Sequence, residues 1–451
     1  MQRHNKDLLA NCPVGKLLIK LSLPSIIGLV LQMTYSLTDT FFVALWIGDG
    51  AVAALAVSFP IQLVMVAFAQ GFGIGGATLV GKYLGSKEGE KANEVLKNTF
   101  ILTGTTSIAL STGAILGLTN LLYALGASHA TQPLAQAYAS ITLLGTPFLS
   151  FSIAANSMAR AEGNASIAMK TLIISSLANV VLDPLFIKFM DMGIAGAAWA
   201  TIIAQAGSAL WMAGYLRSKS VLKLRAPYLK VDKGTVKNIL SIGSSAFVRQ
   251  GAGSVTAAFM NRLLADLGGD PAVAAMGILG RITTFAYMPL FGLVQGMMPI
   301  VSHNLGAKED CRVLRAINLS ILWGTGLCIA GSIPLILWPE SVLLFFSSGD
   351  TLSIAVAASP YIALSMPLSG FQVVLSGMYQ AMDRGKAAFL LDLNRRVLVI
   401  VPLAWIMSLR YGIMGIFWSF PLTEVISGTI SLGIFRSIRL KMIKACLRDR
   451  P

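Results

Sequence analysis

Charge is scarce in this sequence: Asp, Glu, Lys and Arg make up only 12% of the chain. Soluble domains carry roughly 25%, so an ordinary soluble globular fold is excluded. Histidine is scarcer, with three in the chain, and no H-E-x-x-H pair stands at zinc-protease spacing. No P-loop lysine motif is present, so the sequence offers no cradle for ATP. G-F-G-I-G-G at 71–76 satisfies a loose glycine fingerprint. It follows no strand and lies inside an apolar run, where close helix packing accounts for it. The four cysteines, Cys12, Cys311, Cys328 and Cys446, fall in no paired spacing. Three lie in segments read below as cytoplasmic, which argues against a disulfide framework. The N-terminal stretch shows no short apolar region followed by a small-residue cleavage site, so the first span is expected to direct insertion. No ten-residue alternating pattern recurs, which argues against an outer-membrane barrel.

What is abundant is apolar length. Of 451 residues 55% are hydrophobic, and the mean hydropathy is +0.72. A bilayer core takes about 20 apolar residues per helix, and twelve such runs can be read. They lie near 17–46, 51–80, 98–124, 135–159, 171–190, 194–216, 239–265, 272–302, 316–339, 355–381, 388–409 and 413–436. The expected class is an all-α polytopic membrane protein. A net charge of +15 raises nucleic acid as a partner, but the basic residues cluster between spans, so none is expected. Placing both termini on one face puts 30 of the 35 Lys and Arg there and leaves Lys188 and Arg410 opposite. By the positive-inside rule both termini are cytoplasmic, in a multi-pass plasma (inner) membrane protein. The remaining three, Arg249, Arg262 and Arg281, fall within spans.

The chain repeats itself. G-D-G-A-V-A-A-L at 48–55 matches G-D-P-A-V-A-A-M at 269–276, and L-G-S-K-E at 84–88 matches L-G-A-K-E at 305–309. G-I-A-G-A-A-W at 193–199 matches G-I-M-G-I-F-W at 412–418. Ordered matches at offsets of 219 to 221 indicate two copies of a six-helix unit. The expected lobes are 1–216 and 239–436, joined by a basic cytoplasmic linker at 217–238 and followed by a basic tail at 437–451. Six spans return the chain to its starting face. The lobes are therefore parallel repeats about a pseudo-two-fold axis along the membrane normal, which suits alternating access.

Ionisable groups inside spans are functional candidates by default. Asp39 lies ten residues before Asp49, about 15 Å from the outer loop at 1.5 Å per residue. Asp183 lies eight residues before Asp191, about 12 Å from its own outer loop. The two carboxylates thus share a level in the outer half of one lobe. Gln32, Tyr35, Ser36 and Asp39 form a polar stripe on span 1 at helical spacing. Ser176, Asn179 and Asp183 form another on span 5, with Pro184 next to free a carbonyl and kink the helix. Thr201, Gln205 and Ser208 make a third on span 6. Two buried carboxylates in one site favour holding a shared proton; the same oxygens, with Asn179 and Thr201, offer a Na⁺ site. Asp392, beside Arg395 and Arg396, is expected in an interfacial salt bridge. Glu424, near mid-membrane, pairs with Arg281 or Arg249 or serves a second cation site. With Gln205, Met33, Gln295, Met298 and Arg281 it forms a candidate substrate or secondary cation site. His303 is expected at the inner interface.

L-P-S-I-I-G and T-D-T-F-F-V in span 1, the L-G-S-K-E loop and L-A-N-V-V-L-D-P-L-F in span 5 resemble the multidrug and toxic compound extrusion (MATE) family across essentially the whole chain. The resemblance implies a V-shaped antiporter that exports organic cations and hydrophobic drugs in exchange for H⁺ or Na⁺, without a further cofactor and without enzymatic activity. It implies Asp39, Asn179, Asp183 and Thr201, with Tyr35, as the cation-coupling residues, in a monomer surrounded by membrane lipids. Span 7 reads S-S-A-F-V-R-Q-G-A-G-S and lacks the carboxylate of the NorM-like branch. It is closer to the DinF-like branch, which favours H⁺. Two other readings stay open: a flippase for a lipid-linked saccharide of the same superfamily, and an integral membrane enzyme or receptor.

Overall fold

The computed structural model describes residues 8–223 and 231–448. The first seven residues, the last three, and 224–230 of the basic linker lie outside the described residues. Among the described residues the chain is helical, with no strand. Ten continuous helices are long and apolar enough to cross a membrane. Among the described residues two of these are pairs: Lys233–Gly306 breaks at Gly269 (φ 62°, ψ −161°) and Gly385–Lys444 breaks at Gly412 (φ 57°, ψ −139°). Neither conformation suits a residue with a Cβ. Counting each pair as two gives an all-α polytopic membrane fold of twelve spans.

The spans run Val14–Trp46, Asp49–Gly85, Gly89–Leu116, Gln132–Ala161, Ala165–Phe189 and Gly193–Ser218 in the first half. The second half holds spans 7 and 8 on either side of Gly269, then Asp310–Leu337, Gly349–Ala381, and spans 11 and 12 on either side of Gly412. Span 3 differs from expectation. It stops at Leu116, and Gly117 separates it from a short helix, Leu118–Ala124. A short helix, Pro339–Leu343, follows span 9 in the same way.

The duplication is written into the backbone. Positive φ angles recur at Gly48 and Gly269, Lys87 and Lys308, Gly126 and Gly349, Gly163 and Asp383, and Gly193 and Gly412. Glu88 and Glu309 start their helices with nearly identical angles (φ −91°, ψ 65° and φ −92°, ψ 65°). Two apolar cores repeat as well. Val43, Ala51, Ala54, Leu122, Ala197 and Ala198 pack in the first half; Leu264, Ala272, Ala275, Leu343, Ile416 and Phe417 pack in the second. Alanine is the commonest residue in both, because small side chains let helix backbones approach where lipid supplies no hydrophobic drive.

The chain divides into two compact units, one of residues 1–11 and 27–247, the other of 12–26 and 248–451. The first half of span 1 therefore belongs with the second unit, and the first half of span 7 with the first. Glycines make both insertions close-fitting. A Cβ at Gly75 would lie 2.2 Å from the Ile239 carbonyl oxygen in the first unit. One at Gly296 would lie 2.6 Å from the Ser22 nitrogen in the second.

At the linker, Glu162 accepts hydrogen bonds from the Tyr215 hydroxyl (2.9 Å), the Leu222 amide (3.2 Å) and the Ser220 hydroxyl. Asp232 caps span 7, accepting from the Thr235 amide at 2.6 Å. The cysteine expectation is corrected: Cys311 and Cys446 form a disulfide, with Cα atoms 5.0 Å apart. The tail helix runs back to the start of span 9, a proximity that a separation of 135 residues conceals. Cys12 and Cys328 are free.

Candidate functional site

Span 5 presents Ser176, Asn179 and Asp183 on one buried face. Directly after Asp183 and Pro184 the helix widens into a π turn, Leu185–Phe189, closed by the Met190 amide on the Leu185 carbonyl (2.9 Å). Single π turns inside α-helices mark sites where a ladder bond has been given up locally. Proline supplies the cause, since it cannot donate to the preceding turn.

Asp39, half-buried on span 1, brings its carboxyl group within hydrogen-bonding reach of Asp183. Asp183 is completely buried. On span 6, the Thr201 hydroxyl accepts from Asn179 Nδ2 at 3.3 Å. Tyr35 lies within electrostatic range of both aspartates. The structure thus brings Tyr35, Asp39, Asn179, Asp183 and Thr201 together inside the first unit.

This cluster is rich in acceptors and poor in donors. Asp39 Oδ1, both Asp183 oxygens, Asn179 Oδ1 and Gln205 Oε1 are buried and meet no hydrogen-bond donor. Two ionised carboxylates have no proton to share, so neither can satisfy the other. A proton between them would turn one into a donor. A bound cation would satisfy the same oxygens. Among the described residues no three His, Cys, Asp or Glu side chains gather as a metal cluster.

Two residues missed by the sequence reading extend the site. Tyr138 on span 4 is buried, lies within electrostatic range of Tyr35, Asp39 and Asp183, and hydrogen-bonds with Gln62 on span 2. Gln62 lines a cavity of about 20 Å³ with Ser58, Thr142, Thr146 and Gln205, which is room for about one water. The signal was present. Tyr138, Thr142, Thr146 and Ser150 recur every fourth residue, as do Ser58 and Gln62, and such spacing aligns them on one helix face. Ser208, by contrast, spends its hydroxyl on the Ala204 carbonyl (3.0 Å).

The second-unit expectations need correction. Glu424 pairs with neither Arg281 nor Arg249 but with Arg395, whose Nε lies 3.3 Å from Glu424 Oε1. Gln372 Nε2 takes the other Glu424 oxygen at 2.5 Å. Asp392 is buried and accepts from the Ser376 hydroxyl at 2.9 Å, and among the described residues it forms no salt bridge. Span 11 winds into a second π turn at Asn394–Val399, which turns Arg395 toward Glu424. Arg281 is exposed, and Arg262 is exposed beside Asp266 at 3.9 Å. Of the other candidates, Met33 and Gln205 belong to the first unit, and Gln295 and Met298 to the second. His303 is buried near the C-terminal end of span 8.

Twelve apolar spans in two repeated halves, with carboxylates on spans 1 and 5 facing each other, define a duplicated, multi-pass helical membrane protein. A family model described as MatE matches residues 24–185 and 248–406. The chain belongs to the MatE family. It is 26% identical over 438 residues to the multidrug export protein MepA of Staphylococcus haemolyticus (strain JCSC1435), covering 95% of each chain. It is 27% identical over 436 residues to MepA of Staphylococcus aureus (strain MSSA476), covering 95% of this chain and 94% of the relative. Among solved structures, MATE in the straight conformation superposes with a TM-score of 0.92 at 23% identity, over 98% of this chain and 99% of that one. An outward-facing multidrug resistance MATE family transporter of the MOP superfamily superposes at 0.91 with 23% identity, over 97% and 98%.

Proposed function

We propose that the chain is a secondary active multidrug efflux antiporter, exporting organic cations and hydrophobic drugs in exchange for protons by alternating access. The observation that carries this reading is the Asp39–Asp183 contact, in which three buried carboxylate oxygens meet no donor. Such a pair is completed by one proton. Export by the MepA relatives supports the substrate class.

In the proposed cycle a proton enters from the outer face and lies between the Asp39 and Asp183 carboxyl groups. One carboxylate becomes a donor, and spans 1 and 5 are joined by a hydrogen bond. The site loses one negative charge, and with it part of its attraction for a cationic drug, which leaves outward. When the proton departs inward, the charge returns and the site can attract the next cation. Coupling follows because drug and proton prefer different charge states of one pair, and a ligand shifts a conformational equilibrium only by its differential affinity for the two states. Asn179 and Thr201 orient the pair from the side, and the π turn after Pro184 is where span 5 can change pitch. The lobes would be 1–216 and 239–436, the termini cytoplasmic, the host membrane the plasma membrane and the working form a monomer.

Purified protein in liposomes preloaded with ethidium tests the coupling ion. An imposed proton gradient should drive ethidium movement at fixed Na⁺. Movement that responds to a Na⁺ gradient alone would contradict the choice of proton.

A further inference from the structure

Four segments of the second unit meet around the start of span 9. Arg312 donates from Nε to Asn304 Oδ1 at the end of span 8 (2.9 Å). A terminal nitrogen of the same guanidinium donates to the Cys12 carbonyl, just before span 1 (2.8 Å). Beside it, Cys311 reaches the fourth segment, the tail helix: its Cα lies 5.0 Å from that of Cys446, the spacing of a bonded pair. When Cys311 carries a hydrogen instead, the Cys446 carbonyl oxygen stands 3.5 Å from its sulfur as an acceptor. The same arrangement therefore serves both the bonded and the open pair.

The tail is also docked by packing that needs no sulfur bond. Phe435, Ile438 and Met442 are buried at three- and four-residue spacing, and Cys446 continues that helix face. Cys311 and Cys446 are themselves only half-buried, so a small thiol or disulfide can reach them, and access of that kind marks the labile bonds. A disulfide on the cytoplasmic side meets a pool of reduced thiols, and there such bonds are transient or redox-sensing.

We propose that Cys311 and Cys446 form a reversible thiol–disulfide site, open in a reducing cytoplasm and closed by a low-molecular-weight disulfide, that locks the tail helix onto the start of span 9. The inference rests on the cytoplasmic orientation proposed above. In closing, one cysteine thiolate attacks the small disulfide, forming a mixed disulfide and releasing one small thiol. The other thiolate attacks the cysteine sulfur of that mixed disulfide, forming the Cys311–Cys446 bond and releasing the second small thiol. The two protein sulfurs lose two electrons, the small disulfide gains them, and both thiol protons end on the released thiols. The bond joins residues 135 apart in sequence, so it restricts the unfolded chain and stabilises the closed form.

The test uses purified full-length protein carrying Cys12→Ser and Cys328→Ser, which leaves this pair as the only cysteines. After equilibration with glutathione buffers and an acid quench, free thiols are counted by the mass that a polyethylene-glycol maleimide adds. Reduced glutathione in roughly hundred-fold excess should leave two thiols; glutathione disulfide in similar excess should leave none, with no glutathione retained. The closed form should unfold at least about 3 °C above the open one. Cys446→Ser should abolish both the closure and that shift. Should it fail to fold, Cys311→Ser on the other helix makes the same comparison. A bond that survives excess reduced glutathione, thiols that persist or stay glutathione-capped in excess glutathione disulfide, or equal unfolding temperatures would each overturn the proposal. Orientation is read apart from this chemistry, in intact unstressed cells. A membrane-permeant maleimide should label Cys446 and an impermeant one should not; labelling by the impermeant reagent would overturn the proposal together with the orientation. Absent gradient-driven ethidium movement would contradict the efflux reading alone and leave these thiol results standing.

Discussion

Arg395 Nε and Glu424 Oε1 lie 3.3 Å apart in the second unit, with only 14% and 9% of their side chains exposed. Removing one partner of a buried pair leaves an uncompensated charge. Glu424→Ala or Arg395→Met should therefore each destabilise by about 3 kcal/mol or more, read as a fall in thermal unfolding temperature in detergent. The double variant should recover much of the loss. If the single and double variants lose stability additively, the pair is not coupled.

Thr201 on span 6 holds Asn179 of span 5. Its hydroxyl is the acceptor for Asn179 Nδ2, and Thr201→Val removes the acceptor at nearly constant volume. Leaving a buried donor unpaired costs about 1–3 kcal/mol. Gradient-driven ethidium export should drop about ten-fold or more, with unchanged membrane insertion. Wild-type transport by Thr201→Val would remove this contact from the account.

Close backbone crossings give a structural prediction with a built-in control. Gly75→Ala places a Cβ 2.2 Å from the Ile239 carbonyl oxygen, and Gly243→Ala places one 2.2 Å from that of Gly71. Each forces the helices apart at about 1–3 kcal/mol. Gly104 on span 3 meets nothing within 4 Å, so Gly104→Ala should stabilise by up to about 1 kcal/mol through helix propensity. Matching losses at all three sites would count against the crossing geometry.

Asp232 supplies the pH dependence. It is fully exposed, and hydrogen bonds from Thr235 and the Gly234 amide hold its carboxyl below the usual range. A carboxylate lowered in the folded state stabilises above its unfolded value, near 3.9, and that contribution is lost as pH falls through the folded value. Asp232→Asn keeps the cap without titrating. Wild type should thus lose unfolding temperature relative to Asp232→Asn as pH falls from about 5 toward 3. Asp232→Ala should be weaker at every pH. Parallel pH curves for wild type and Asp232→Asn would refute the role of the charge.

Much of this molecule is legible along the chain because its signals are local. Hydropathy marks the spans, the repeated L-G-S-K-E and L-G-A-K-E loops mark the duplication, and counting residues from Asp49 and Asp191 puts Asp39 and Asp183 at one level. What stays hidden depends on how helices cross. Nothing near Arg395 in sequence indicates that a π turn swings it onto Glu424, 29 residues on. Nor does the chain show that residues 12–26 pack with the second unit, or that Cys446 returns to Cys311. Tyr138 and Gln62 are a different case: their four-residue stripes were readable, but aromatic and amide residues in apolar spans draw less notice than carboxylates.

The central claim is that one proton completes the Asp39–Asp183 pair and drives drug movement. It is tested most directly by proton-gradient-driven ethidium export in proteoliposomes containing Asp39→Asn or Asp183→Asn. Asparagine keeps the shape and removes the titratable charge. The account predicts that each variant inserts normally and loses gradient-driven export. Full gradient-driven export by both variants would contradict it.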